Sequence, residues 1–266
     1  MFNLLNLLLF STTCLFTPTT TATLHNRRHN DLNRRSASLP IPPVNFGIVL
    51  FRGFEAIDAF GPLEILNLGT LSHFRAKLYI IAETLNPVTT KPVMNVTGAD
   101  FGESVVPTHT FAHPPEDLDV LLVPGGVGTR DLNKTQPIVD FVKEAYPKLR
   151  WLITGCTGVS LVARAGILDG RRATGNKKSW DFVTKQGPKV HWVPKARWVV
   201  DGNIWSASGL TAFLDTTFAW VSNVFGEDVA SDLANGIEYP RILDSSWDPF
   251  AEMYNLTGWV NPNLGL

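Results

Sequence analysis

Cysteine is nearly absent from this 266-residue chain, which has only Cys14 and Cys156. Two cysteines cannot build the disulfide framework of a small secreted scaffold, so the fold must rest on its core. An excess of one charge sign is also missing. Lys plus Arg number 23 and Asp plus Glu 24, for a formal net charge of −1. No basic field is therefore available to recruit nucleic acid or an anionic membrane. Arginines do cluster at Arg27-Arg28 and Arg34-Arg35, inside a polar segment that reads as a disordered leader rather than a binding face. Long apolar runs are lacking. The one near the start is too short to span a bilayer comfortably and is broken by Ser and Thr. No His-x-x-x-His or Cys/His spacing suggests a metal. There is no internal repeat.

What is present is ordinary globular composition, 44% hydrophobic and 18% charged, enough for one large domain or two small ones. Residues 1–22 combine an apolar core with the small-residue stretch Thr19-Thr-Thr-Ala22. They read as a secretory signal peptide cleaved near Ala22, although no Lys or Arg precedes the apolar run. This places the chain in the secretory pathway, with the cytoplasm as the alternative. Asn95-Val-Thr97, Asn133-Lys-Thr135 and Asn255-Leu-Thr257 are glycosylation sequons, as in a glycoprotein. Residues 23–43, polar, basic and then proline-rich, read as a linker or propeptide. Residues 44–266 read as a single domain. If the leader is cleaved, Cys14 leaves with it, and a solitary thiol in an oxidising compartment is an odd thing to keep for packing.

From residue 44 on, strands and helices alternate. Apolar runs at 46–51, 76–82, 120–123 and 151–154 suit parallel strands covered on both faces. Helical periodicity occupies 56–68, 138–146, 157–165, 178–186, 211–225 and 227–237. Residues 94–106 alternate loosely, as a hairpin would, and 171–174 suit an edge strand. Residues 197–200 and 204–207 flank Asp201-Gly-Asn203 as a second hairpin. Such alternation implies a mostly parallel sheet with helices on both faces. Ligands of these sheets bind outside the strand carboxyl ends. The loop 52–58, Pro124-Gly125-Gly126 and Gly155-Cys156 all fall there, so they are expected to meet in one cleft.

Cys156 follows an apolar strand and Gly155 and opens an apolar-periodic segment. A lone cysteine in an apolar setting is usually a small buried hydrophobe, but packing alone does not call for glycines on both sides. The pattern predicts a strand-to-helix elbow with a thiol at its tip, where a helix N-terminus favours the thiolate. Pro124-Gly-Gly-Val-Gly128 departs from Gly-x-Gly-x-x-Gly and lacks Lys-Ser/Thr, so it is not a nucleotide site. It is either a tight turn or a set of outward N–H groups for an anion. Asp58, among Ala, Ile and Phe, is either a helix N-cap or a partly buried functional carboxyl. Glu55 and Glu64 are the rival acids, Glu64 the stronger. His109, His113 and His191 carry no motif, and His191 reads as a packed strand residue. Ser208 and Thr211 are explained by helix capping.

Ile57-Asp-Ala-Phe-Gly-Pro62, Leu121-Leu-Val-Pro-Gly-Gly126, Thr154-Gly-Cys-Thr-Gly158, Ala165–Thr174, Arg197–Asn203, Ser208–Ala212 and Glu238-Tyr239 stand in an order that resembles the ThiJ/PfpI superfamily over about residues 44–250. Aspartate before Gly-Pro, and Thr157 after the cysteine, resemble its isonitrile hydratases in particular. The resemblance implies a flavodoxin-like three-layer sandwich and a cofactor-independent hydration of an isonitrile to an N-substituted formamide, possible also for natural products of this type. It implies Cys156 as nucleophile, Asp58 as acid and Thr157 as a third catalytic residue. Gly125, Gly126 and Gly155 would serve the oxyanion or substrate, with no metal, a small-molecule substrate and a homodimer. A drop of roughly two units in the thiol pKa would make Cys156 mostly thiolate. The alternatives are glyoxalase- or amidase-type chemistry, or a redox-sensing or binding protein in which Cys156 is oxidised. Two departures stand out: the histidine that peptidases of the superfamily place after the cysteine is Thr157 here, and the histidine often found after Ala-Thr in the post-elbow strand is replaced by Gly175-Asn176-Lys177-Lys178.

Overall fold

The computed structural model of the chain describes residues 41–92 and 96–259. The expected signal peptide, all but the end of the linker, and Asn95 lie outside these residues. From Pro42 onward the described residues form one compact unit.

Its centre is a seven-stranded sheet in the order β10-β11-β7-β6-β1-β2-β5. The strands are β1 (Asn45–Val49), β2 (Lys77–Ala82), β5 (His109–Thr110), β6 (Val120–Val123), β7 (Trp151–Thr154), β10 (Trp198–Asp201) and β11 (Ile204–Ala207). All neighbours pair in parallel except the edge hairpin β10–β11, which turns through Gly202 at φ 61°. The continuous apolar runs in the sequence are thereby explained. Every residue of β6, and Leu152 and Ile153 of β7, is buried, because helices cover both faces of a parallel sheet. Helix α1 (Ala56–Ser72) packs with α5 (Leu210–Phe225) and α6 (Glu227–Gly236). Helix α3 (Val159–Arg164) packs with α2 (Gln136–Ala145) and α4 (Trp180–Lys185).

The chain adds β2 and β5 on one side of β1, then returns to place β6, β7, β11 and β10 on the other. The switch point therefore lies between β1 and β6. The segments that carry Asp58, Gly125 and Cys156 lie there, outside the strand carboxyl ends where ligands of such sheets bind.

Five local expectations change. Among the described residues of the loosely alternating stretch 94–106, a single short strand forms. That strand, β4 (Ser104–Val105), pairs with β3 (Val88–Thr89), because weak alternation leaves register to the hydrogen bonds between Thr89-Thr90 and Glu103. The expected edge strand at 171–174 narrows to β8 (Arg172–Ala173), which pairs with β9 (His191–Trp192) outside the main sheet. In β9 the packed residue is Trp192, and His191 is exposed. The helix expected over 157–165 begins with a 3₁₀ turn, Cys156–Gly158. Ser208 and Thr211 make no cap: Gly209 is the cap residue of α5, and the Thr211 hydroxyl accepts from Arg197 instead. The Arg197 guanidinium is buried against Asp215, its Nε donating to Oδ2 at 2.6 Å.

Candidate active site

Strand β7 ends at Thr154, whose hydroxyl donates to the Val123 carbonyl at 2.9 Å and ties the end of β7 to that of β6. Gly155 stays extended. Cys156 then turns into the left-handed region at φ 56°, a conformation that costs a residue with a Cβ roughly 1–2 kcal/mol. Strain of this kind collects at functional sites when the surroundings enforce it. The expected elbow is therefore present, with Cys156, 8% exposed, at its tip.

Asp58 lies in the first turn of α1, completely buried. The N-cap position belongs to Glu55, so the capping explanation of Asp58 falls away. Asp58 Oδ2 accepts from the Gly125 N–H at 2.9 Å, and Oδ1 has no hydrogen-bond partner. Only glycine fits at 125. A Cβ there would stand 2.8 Å from Asp58 Oδ2, 2.8 Å from Cys156 Cβ and 2.7 Å from the Thr157 nitrogen. Asp58 and Cys156 thus face each other across the space that Gly125 leaves open.

The Gly-Gly loop directs an N–H group at the protein's own Asp58 carboxyl. The three glycines expected to serve an oxyanion are already engaged. The Gly125 N–H holds Asp58, the Gly126 N–H donates to Thr157 Oγ1 at 2.9 Å, and the Gly155 N–H donates to Val123 O at 3.2 Å. Their observed work is positioning. Thr157 Oγ1 also donates to Gly126 O at 3.1 Å, which locks the loop to the elbow in both directions.

Burial sets the electrostatics. It raises Asp58 from 3.8 to about 7, against the opposing Gly125 hydrogen bond. Burial, and then the Asp58 charge, push the Cys156 thiol up as well. The expected thiolate at rest is therefore reversed. Helix α3 is a single short turn and a half preceded by 3₁₀ backbone, and desolvation outweighs what its N-terminus offers. At neutral pH the resting site holds a thiol and a carboxyl balanced near its titration point.

Sequence reasoning missed one neighbour. Asn176 Nδ2 donates to Cys156 Sγ at 3.3 Å. Its only signal was its position in the altered segment after Ala173-Thr174. Of the rival acids, Glu55 is half-buried and close enough for its charge to act on both Asp58 and Cys156, whereas Glu64 is exposed. His109 packs edge-on to Tyr79, with ring centroids 5.0 Å apart, and His113 and His191 are exposed. Among the described residues, no group of three or more His, Cys, Asp or Glu is placed to hold a metal ion.

Fold and site together define an α/β protein in which, at the switch point of the sheet, an elbow cysteine faces a buried acid. Residues 46–223 match the DJ-1/PfpI family, and the chain belongs to it. Isonitrile hydratase of Pseudomonas putida is 29% identical over 197 residues, which are 74% of this chain and 78% of that protein. A deglycase of Pyrococcus horikoshii is 31% identical over 107 residues, 40% of this chain and 60% of that protein. The crystal structure of a ThiJ/PfpI family protein from Pseudomonas syringae superposes with a TM-score of 0.63 at 26% identity, covering 82% of this chain and 91% of that one.

Proposed function

We propose that the protein hydrates isonitriles to N-substituted formamides without a metal or organic cofactor, with Cys156 as nucleophile and Asp58 as the acid–base. The observation that carries this reading is the buried Asp58 carboxyl, raised to about 7 and facing a thiol that has no histidine beside it. Such a group can both take and give a proton at neutral pH. Similarity to an isonitrile hydratase over 74% of the chain supports it, whereas the deglycase similarity spans 40%.

The chemistry balances on these two side chains. Asp58 takes the thiol proton as Sγ bonds to the isonitrile carbon. That carbon, now carrying a lone pair, takes the proton from Asp58, giving the thioimidate R–N=CH–S–Cys156. Asp58 next removes a proton from water as its oxygen adds to the same carbon, and passes that proton to nitrogen. The C–S bond breaks with its electron pair on sulfur, the hydroxyl closes to a carbonyl, and the last proton returns to sulfur. One water has been added. Thr157 serves by fixing the loop that presents Asp58.

On this reading residues 44–266 are the hydratase domain behind a leader (1–22) and linker (23–43), and a secreted glycoprotein acting on natural-product isonitriles is the setting we favour. Incubating the purified protein with an aryl isonitrile should yield the formamide. No turnover, with methylglyoxal consumed instead, would point to glyoxalase-type chemistry. No turnover of either, with ready oxidation of Cys156 to the sulfinate, would point to a redox sensor.

A further inference from the structure

The amide of Asn176 is held in one orientation. Its Oδ1 accepts from the Ser179 N–H at 3.0 Å, which leaves Nδ2 to face Cys156 Sγ at 3.3 Å. Its own N–H donates to the Cys156 carbonyl at 3.3 Å, so residue 176 is fastened to the elbow through main chain and side chain alike. The loop that carries it is anchored by Lys177, whose ammonium is buried. Lys177 Nζ donates to Thr174 Oγ1 at 2.6 Å and to Ala196 O at 2.9 Å, stands 3.3 Å from Asp248 Oδ2, and lies over the Trp180 ring at 5.1 Å. A buried cation with this many fixed partners holds the loop in one place, because every displacement strands a charge.

We propose that Asn176 is a further catalytic residue, whose amide N–H stabilises the sulfur anion when the Cys156 proton leaves and again when the C–S bond of the adduct breaks. This rests on Cys156 acting as the nucleophile. A hydrogen bond to the charged form of a group favours that form, and bonds to ionised partners are about twice as strong as neutral ones. The donor is neutral, so it adds no pH dependence of its own, and it moves no proton. The Sγ proton goes to Asp58 and on to the isonitrile carbon, and a proton of the added water restores the thiol at the end of the cycle. Asn176 offsets the desolvation that holds the buried thiol protonated.

Two variants test this. Asn176→Ala removes the side chain. Asn176→Asp keeps the acceptor for Ser179 but removes the donor. With thermal unfolding confirming that both variants fold, the rate of Cys156 alkylation by iodoacetamide is followed against pH beside hydration kinetics. Each variant is expected to alkylate about tenfold more slowly at a fixed pH, and kcat to fall about 10- to 100-fold with KM little changed, the worth of one hydrogen bond to a charged group. An unchanged alkylation profile in folded variants overturns the proposal, even if hydration falls, because a merely structural role would leave sulfur ionisation untouched. Hydration that survives Cys156→Ala would instead overturn the nucleophile reading on which the proposal rests, and the alkylation profile separates the two failures.

Discussion

The Gly125 N–H meets Asp58 Oδ2 at 2.9 Å, in a space where any Cβ on residue 125 would strike the carboxylate. This contact joins the carboxyl end of β6 to the first turn of α1, so the acid of the site is held by the loop itself. The other oxygen, Oδ1, has no hydrogen-bond partner. The hydrogen bonds the carboxyl receives do not offset its burial, which is why the Asp58 pKa rises.

That rise has a consequence for stability. The folded-state pKa is about 7 and the ordinary value 3.8. Below 3.8 the group is neutral in both states and its full stability is present. As pH rises the unfolded chain ionises first, so stability falls until pH passes about 7. The difference is worth on the order of 4 kcal/mol. Asp58→Asn keeps the shape and the Gly125 contact without the titration. Melting temperature plotted against pH should decline between pH 4 and 7 for the natural protein and stay flatter for the variant. Parallel curves would mean that Asp58 is not desolvated in solution.

For catalysis, Cys156→Ala should abolish hydration with little change in melting temperature, since a small, mostly buried side chain is replaced by a smaller one. Asp58→Asn should lower kcat by about 10²-fold or more, as removal of a positioned acid–base does. Glu64→Gln should leave it unchanged, because Glu64 is exposed on α1. The reverse order of the two carboxylates in steady-state assays would move the acid onto Glu64.

Thr157→Val tests the clamp between elbow and loop. Valine matches threonine in shape but leaves the buried Gly126 N–H without its partner, while the Gly126 carbonyl keeps the Thr129 hydroxyl at 2.7 Å. The orphaned donor should cost about 1–3 kcal/mol, read by chemical denaturation. Activity should fall with it, because the same loop positions Asp58. Full activity with lowered stability would limit Thr157 to a structural part.

Much of this was legible in the sequence because it follows from periodicity and chain order. The apolar runs of β1, β6 and β7 announced buried parallel strands, and Asp201-Gly-Asn203 announced the edge hairpin. The alternation of strands with helices brought loop 52–58, Gly125 and Cys156 to one end of the sheet. What was not legible depends on which atom reaches which. The thiol's ionisation was read from a helix N-terminus, but its sign is set by burial, which local sequence does not report. The glycines of 124–126 offered N–H groups, but their partners, Asp58 and Thr157, lie 67 and 31 residues away. Asn176 stands beside Lys177, which is drawn inward to Asp248, 71 positions on, a pairing without local signature.

That last pairing can be broken from one side or removed from both. Lys177 and Asp248 side chains are each 1% exposed, and desolvation lowers the Lys177 pKa to about 8 despite the neighbouring Asp248. Asp248→Asn leaves the ammonium without its counter-charge and should cost about 3–5 kcal/mol, with the loss shrinking at alkaline pH as Lys177 gives up its proton. The double change Lys177→Met with Asp248→Leu removes the buried charge altogether and should recover most of that stability. Hydration should not recover in parallel, because an apolar contact does not fix the Asn176 loop against Ala196 and Thr174 as the ammonium does. Denaturation curves for the single and double variants, set beside their kcat values, separate the two roles. A double variant with restored stability and full activity would show that the ion pair does not position Asn176.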